Sequence, residues 1–272
     1  MLASFLIVFR EVLEAGLIVG IVMAATVGIS RRGRYLAGGV VAGMLGACVV
    51  AGSIDVLAAA LQGNGQDVFT AGILVLAVAM LGWHNVWMAR HGREIARQMK
   101  DLGSAVESGE RSLLAMAVVV AVAVLREGSE IVLFLYGIAI SAKLGATALI
   151  LGGLAGVAAG GAVAWLLYRG LLAIPLHRLF GVTSWLIALL AAGMAGQAAA
   201  LLANDDLIPA LGYQLWNTSW LLSSGSLLGR ALQALVGYSD RPMGIQVLAY
   251  VVTLAALVIA GRRVARPARA AS

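Results

Sequence analysis

Cysteine, histidine and charge are the scarce ingredients of this chain, and each scarcity removes a class of function. The single cysteine, Cys48, lies in an apolar run, so no intrachain disulfide forms and a thiolate metal site is set aside. The three histidines, His84, His91 and His177, are too few and too badly spaced for a zinc site. No His-Glu-x-x-His occurs, nor any pair of Glu-x-x-His motifs, which argues against a membrane-embedded carboxylate-metal oxidase or hydrolase. Only 12% of the 272 residues are charged against 61% hydrophobic, whereas a soluble domain carries about a quarter charged residues. The water-soluble globular class is therefore excluded. The 19 Lys and Arg against 13 Asp and Glu would point to nucleic acid in a soluble protein; here they are read as membrane topology, with no nucleic-acid partner.

What is abundant is apolar helix. Long apolar stretches at Leu2–Ile29, Leu36–Leu61, Phe69–Ala89, Leu113–Ser141, Ala146–Tyr168, Leu179–Ala203 and Ile245–Gly261 predict an all-α polytopic membrane protein with seven transmembrane helices. The connections after the first, third, fifth and seventh spans carry fourteen Lys and Arg, and the other side carries three, Lys143, Arg230 and Arg241. By the positive-inside rule the N-terminus is outside and the C-terminus cytoplasmic. The arginines follow the first span instead of preceding it, so that span is read as retained and not as a cleaved signal peptide. Residues 90–112 alternate in sign and are expected to form a short cytoplasmic surface helix with no role beyond solvation and topology.

The chain divides as one membrane domain into 1–112, a first three-helix repeat with its cytoplasmic linker; 113–203, a second three-helix repeat; 204–244, an outer loop; and 245–272, the last helix and a basic tail. Within the outer loop Ser226 as N-cap and Gly237 after the last turn predict a helix of about ten residues, too short to span. Trp216 and Trp220 read as interfacial anchors. Gly152, Gly156 and Gly160 share a helix face, and Gly39, Gly43 and Gly46 nearly do, the ordinary device for close helix contact in a membrane.

Chemistry concentrates in two places. The first span contains Arg10-Glu11-Val12-Leu13-Glu14 and the fourth Arg126-Glu127-Gly128-Ser129-Glu130, each with apolar helix on both sides. A charged side chain near mid-span costs about 2.5–3.5 kcal/mol, so six facing lipid would cost on the order of 15–20 kcal/mol. Such a sum must be compensated by one another, by water or by a bound ion. At about 100° per residue, carboxylates at i and i+3 reach one cavity with the arginine beside them. Glu11, Glu14, Glu127 and Glu130 are thus candidate metal ligands, hard oxygen donors suited to iron, manganese, magnesium or calcium, with Arg10 and Arg126 in support. Four glutamates and two arginines sum to −2, favouring a multivalent cation. A packing ion pair would explain one carboxylate per arginine and leave the second spare. The motifs recur 116 residues apart on spans of opposite direction, as in a 3+3 inverted repeat whose halves meet near the midplane, with a seventh helix added.

Paired Arg-Glu-x-x-Glu motifs in the first and fourth of seven helices resemble the iron permeases of the oxidase-dependent iron transporter family. The run from Gly82-Trp-His-Asn to Glu94, Leu215-Trp-Asn-Thr-Ser-Trp220 and Gly237-Tyr-Ser-Asp-Arg-Pro242 are similar to its bacterial branch. The resemblance implies an iron permease, not an enzyme, in the bacterial inner membrane, with iron as transported substrate in either the Fe2+ or Fe3+ state, no organic cofactor, and delivery by a periplasmic iron-binding protein or an oxidase. Two features depart from it. The middle of the motif varies, at Val12, Gly128 and Ser129, and no rich acidic cluster lies outside, only Asp205, Asp206 and Asp240.

Among lesser candidates, Asp55 either lines an entrance or snorkels to water. His84, near the inner end of the third span beside Trp83, Asn85 and Trp87, is assigned to the interfacial aromatic belt ahead of an exit ligand. Gln197 reads as an interhelical hydrogen-bond donor, and His91 and His177 as solvated. Oxygen ligands and a −2 site do not by themselves separate iron from manganese, lead or another divalent ion. A sensor or scaffold would bind without flux.

Overall fold

The computed structural model describes residues 1–60, 66–141, 145–170 and 176–265. Side chains at 54–60, 66, 85, 88–93, 95–96, 140–141, 176–180, 227, 234 and 264–265 lie outside that description. Among the described residues the chain is all-helical: α1 Leu2–Ala25, α2 Arg32–Ala60, α3 Gln66–Glu107, α4 Leu113–Ser141, α5 Ala146–Tyr168, α6 Leu176–Asn204, α7 Leu227–Val236 and α8 Gly244–Ala265. Long apolar runs become helices because a helix satisfies every backbone N–H and C=O within itself, which hydrocarbon cannot do. On length and composition, Arg32–Ser53 of α2, Asp67–His84 of α3, α5, Gly181–Asn204 of α6 and Gly244–Arg263 of α8 suffice to cross a membrane. The 24 residues of α1 and 29 of α4 have the length as well, interrupted by the charged motifs.

Two glycine stripes organise the packing. Gly152, Gly156 and Gly160 of α5 lie successively against Ser4, then Phe5 and Phe9, then Val12 of α1, while Gly16 and Gly20 of α1 meet Ala164 and Tyr168. The two helices therefore run parallel. In the same way Gly39, Gly43 and Gly46 of α2 lie against Ala117, Ala121 and Leu125 of α4, and Gly128 meets Ala47. At Gly43 a Cβ would stand 2.6 Å from the Ala121 carbonyl oxygen, so no side chain fits without parting the helices. Two further pairs, α3 with α6 and α1 with α4, complete the centre, and α8 packs on α6 and α3.

The helix expected over residues 90–112 does not exist as a separate element. Instead α3 runs unbroken for 42 residues, about 63 Å, from Gln66 to Glu107. Its last turns dock on the end of α1, where Gly103 meets Ala25 and Val106 is buried with Val22, Leu36, Met116 and Val120. Alternating charge marks the exposed face, including Glu94 and Arg97, and hides a buried stripe on the other.

The short helix α7 forms as its caps predict: Ser226 Oγ accepts from the Gly229 N–H at 3.0 Å, and Gly237 stands in the left-handed region at φ 71°. Gly237 backs onto Gly193 of α6, which ties α7 to the bundle. Trp216 and Trp220 are exposed. A water-sized cavity of about 10 Å³ at the junction of α6, α7 and α8 is lined by Gln197, Gln233, Gln246 and Tyr238, which gives Gln197 its polar surroundings.

Candidate metal centre

Three helices supply one buried polar layer. From α1 come Arg10, Glu11 and Glu14; from α4, Glu127 and Glu130; and from α3, His84, all at most 5% exposed. One ligand atom from each of Glu11, His84, Glu127 and Glu130 lies within 4.8 Å of the others. The layer is bounded by apolar residues on both sides. Ile7, Leu74, Leu81, Phe134 and Ile138 belong to the core beside the N-terminal half of α1, and Val22, Val106, Met116 and Val120 to a second cluster beside its C-terminal end.

The six groups are not equivalent. Arg10 Nε donates to Glu14 Oε1 at 2.8 Å, and Glu14 Oε2 lies 3.1 Å from His84 Nε2. With Nε2 protonated, Arg10 and His84 both donate to the one carboxylate, which fixes the imidazole plane. The other ring nitrogen, Nδ1, lies 2.6 Å from Glu130 Oε2 but off the line of a hydrogen bond, and neither atom has a hydrogen-bond partner. Both oxygens of Glu11 and Oε2 of Glu127 also lack one. An unpaired buried polar atom costs about 1–3 kcal/mol, and charged oxygens cost more. One ring nitrogen and carboxylate oxygens from three glutamates converge here, donor types that suit a first-row divalent cation.

The two arginines differ. Arg10 is buried, whereas the side chain of Arg126 is 40% exposed, 3.2 Å from Glu130 Oε1, with its guanidinium 4.6 Å from the centroid of the Trp87 ring. Glycine and serine inside the second motif are accounted for: Gly128 packs on Ala47, and Ser129 Oγ donates to the Leu125 carbonyl.

The belt assignment of His84 is overturned. It is 2% exposed and central, while its neighbour Trp83 is 72% exposed. Because α3 continues far past its apolar run, His84 lies well inside the helix and not at its end. Proximity of the glutamates is readable from helix spacing; the histidine that joins them from a third helix is not.

The other candidates stand apart. Asp205 and Asp206 are exposed just past the end of α6. Asp240 braces the 204–244 loop: Ser224 donates to its carboxylate from the backbone at 3.2 Å and from Oγ at 2.9 Å, and Thr218 N–H donates to its carbonyl. Slight burial works against its charge, but the hydrogen bonds from Ser224 prevail and hold its carboxyl below the usual carboxylate range. Asp55 lies on α2 and Asn85 and His91 on α3, His177 on α6, with side chains outside the described residues, as is Lys143 altogether.

The profile of the iron permease FTR1 family matches residues 1–265. The chain is 30% identical over 264 residues to the "Ferrous iron permease EfeU" of Escherichia coli O6:H1, covering 96% of this chain and 95% of that one. The protein of the same name from Shigella sonnei is also 30% identical, and that of Yersinia pestis 31%, over 93% of this chain and 90% of that one. No solved structure matches. A full-length profile match and 30% identity over nearly the whole chain, with a buried cation-type donor set between apolar helices, leave one conclusion: the chain belongs to the iron permease FTR1 family, and is a multi-pass membrane transporter rather than an enzyme.

Proposed function

We propose that this protein carries iron inward across a bacterial inner membrane, and that the ion passes through the layer formed by Glu11, His84, Glu127 and Glu130. The observation that carries the reading is the convergence of these four side chains within 4.8 Å while their facing atoms have no hydrogen-bond partner. Three carboxylates bring the charge a cation needs. A nitrogen donor shifts the preference from magnesium, calcium and manganese toward iron, and toward Fe2+ as the ion in transit. The relatives' printed name, ferrous iron permease, supports the same choice.

Glu14 then acts chiefly by position. Held by Arg10, it takes the Nε2 proton of His84 in a hydrogen bond and leaves Nδ1 as the metal-facing atom. The arginines keep the carboxylates ionised and temper their pull, since a site that transports must also release.

In this reading α1 to α6 and α8 are seven spans, with the N-terminus outside and two three-helix repeats of inverted topology. Exchange of the repeats turns the α1–α5 seam into the α4–α2 seam, and both seams are parallel pairs closed by a glycine stripe. Alternating spans make α1 and α5 run one way and α2 and α4 the other, as this packing requires. Apolar clusters on both sides of the charged layer mean that access requires one repeat to rock against the other. A delivering oxidase or periplasmic iron-binding protein would, in this reading, meet the outer face near Asp205 and Asp206, which are exposed beyond α6.

Uptake of 55Fe2+ into proteoliposomes tests this. Glu11→Gln and Glu127→Gln are each expected to lower flux about tenfold or more, with unchanged protein yield and elution profile. If both transport at the unmodified rate, the layer is not the path.

A further inference from the structure

A second site lies away from the ion path. Between the first turns of α2 and α4 is a groove of about 540 Å³, floored by Gly38, Gly39, Ala42, Ala117 and Ala121 and headed by Arg31, Arg34 and Tyr35. Its depth comes from small residues, since Gly38 faces open space and Ala42, Ala117 and Ala121 carry only a methyl group. Its mouth is unusual in charge. Arg32 donates to the Met23 carbonyl at 2.9 Å and is used within the fold. Arg31 and Arg34 are exposed and, among the described residues, no carboxylate or carbonyl takes up either guanidinium. Arg31 is moreover held in the left-handed region at φ 66°, a conformation that disfavours a residue with a side chain.

The geometry points to a bound anionic phospholipid: we propose that Arg31 and Arg34 hold the headgroup phosphate while one acyl chain lies in the small-residue groove between α2 and α4. Guanidinium groups match phosphate oxygens in geometry and charge. The arginines sit at the head of an apolar helix, at the level where a headgroup meets hydrocarbon, and the groove runs from them along Gly38 and Ala42 in the direction an acyl chain takes. Tyr35, half-exposed beside them, has the phenol-at-the-boundary placement of an interfacial residue. Such binding requires that the chain sits in a membrane and nothing about the ion it carries.

Native mass spectrometry of the detergent-purified chain, titrated with dioleoylphosphatidylglycerol and separately with dioleoylphosphatidylcholine, reads this directly. The expected result is one retained phosphatidylglycerol per chain at saturation, with phosphatidylcholine lost at the same collision energy. Arg31→Gln with Arg34→Gln should weaken retention about thirtyfold. Gly38→Leu keeps both charges and fills the groove; a Cβ there meets nothing within 4 Å, so the fold tolerates it. It too should abolish the retained adduct, and inorganic phosphate in excess should fail to displace the lipid. Equal retention of both lipids, or of phosphatidylglycerol by all variants, overturns the proposal. Displacement by inorganic phosphate overturns it as well, by reducing the site to an anion contact.

Discussion

Arg10 and Arg126 head the same five-residue pattern, yet their surroundings are unlike. The Arg10 side chain is 3% exposed and donates to Glu14 at 2.8 Å; that of Arg126 is 40% exposed, stacks over Trp87 and stands 3.2 Å from Glu130. On the α1 side the second glutamate is consumed by Arg10 and His84, and Glu11 is the free carboxylate. On the α4 side both glutamates keep an oxygen without a hydrogen-bond partner. A repeated motif thus yields an asymmetric centre: α1 contributes a rigid brace and one carboxylate with both oxygens open, α4 two carboxylates with one open oxygen each. His84 breaks the symmetry, because it hydrogen-bonds to the α1 motif through one nitrogen and faces the α4 motif with the other.

The largest expected effect is Arg10→Met. It leaves Glu14 buried beside Glu11 without its cation, and loss of one partner from a buried pair costs about 3–5 kcal/mol. Chemical unfolding in detergent micelles should show that loss and a collapsed yield. If Arg126→Met costs as much, the two motifs are equivalent after all.

Next come the seams. Gly156→Val drives a Cβ to 2.8 Å from the Phe5 carbonyl oxygen and Gly43→Val to 2.6 Å from that of Ala121, so each should destabilise by about 1–3 kcal/mol. Equal costs at the two positions support equivalent seams in the two repeats. Gly161→Ala, where nothing lies within 4 Å, is the control and should be neutral or slightly stabilising.

Arg126→Met comes third, at about 1 kcal/mol, since a half-exposed pair is screened and a ring contact at such a site is worth about as much. Iron uptake should fall more than stability does. The smallest effect is a coupling: in double-mutant cycles Trp87→Leu should couple to Arg126→Met by about 0.5–1 kcal/mol and add independently to Arg10→Met. Coupling to both arginines would mean that Trp87 serves the whole layer.

Much of this arrangement is legible in the order of the amino acids. The ends of α4 and α5 coincide with the apolar runs, and the caps of α7 follow from Ser226 and Gly237, because chain termination in apolar or turn-rich segments is a local matter. Convergence of α1 and α4 is implied by the cost of solitary buried charge. Two features are not legible, both on α3. Its passage through residues 90–107 is masked by charges on the exposed face, and hydropathy therefore puts the end of the helix too early. His84 therefore stands at the end of the apolar run, where an aromatic neighbourhood reads as a belt. A polar residue on a helix that carries no motif gives no periodic signal; only the packing of α3 against α1 reveals that it faces their carboxylates.

X-ray absorption at the iron edge of Fe2+-loaded protein tests the central claim most directly. The expected spectrum is that of a mixed shell of nitrogen and oxygen with the multiple-scattering signature of a single imidazole, lost in His84→Ala and retained in Glu14→Gln with altered ring order. An all-oxygen shell, or an imidazole signature that persists in His84→Ala, would contradict it.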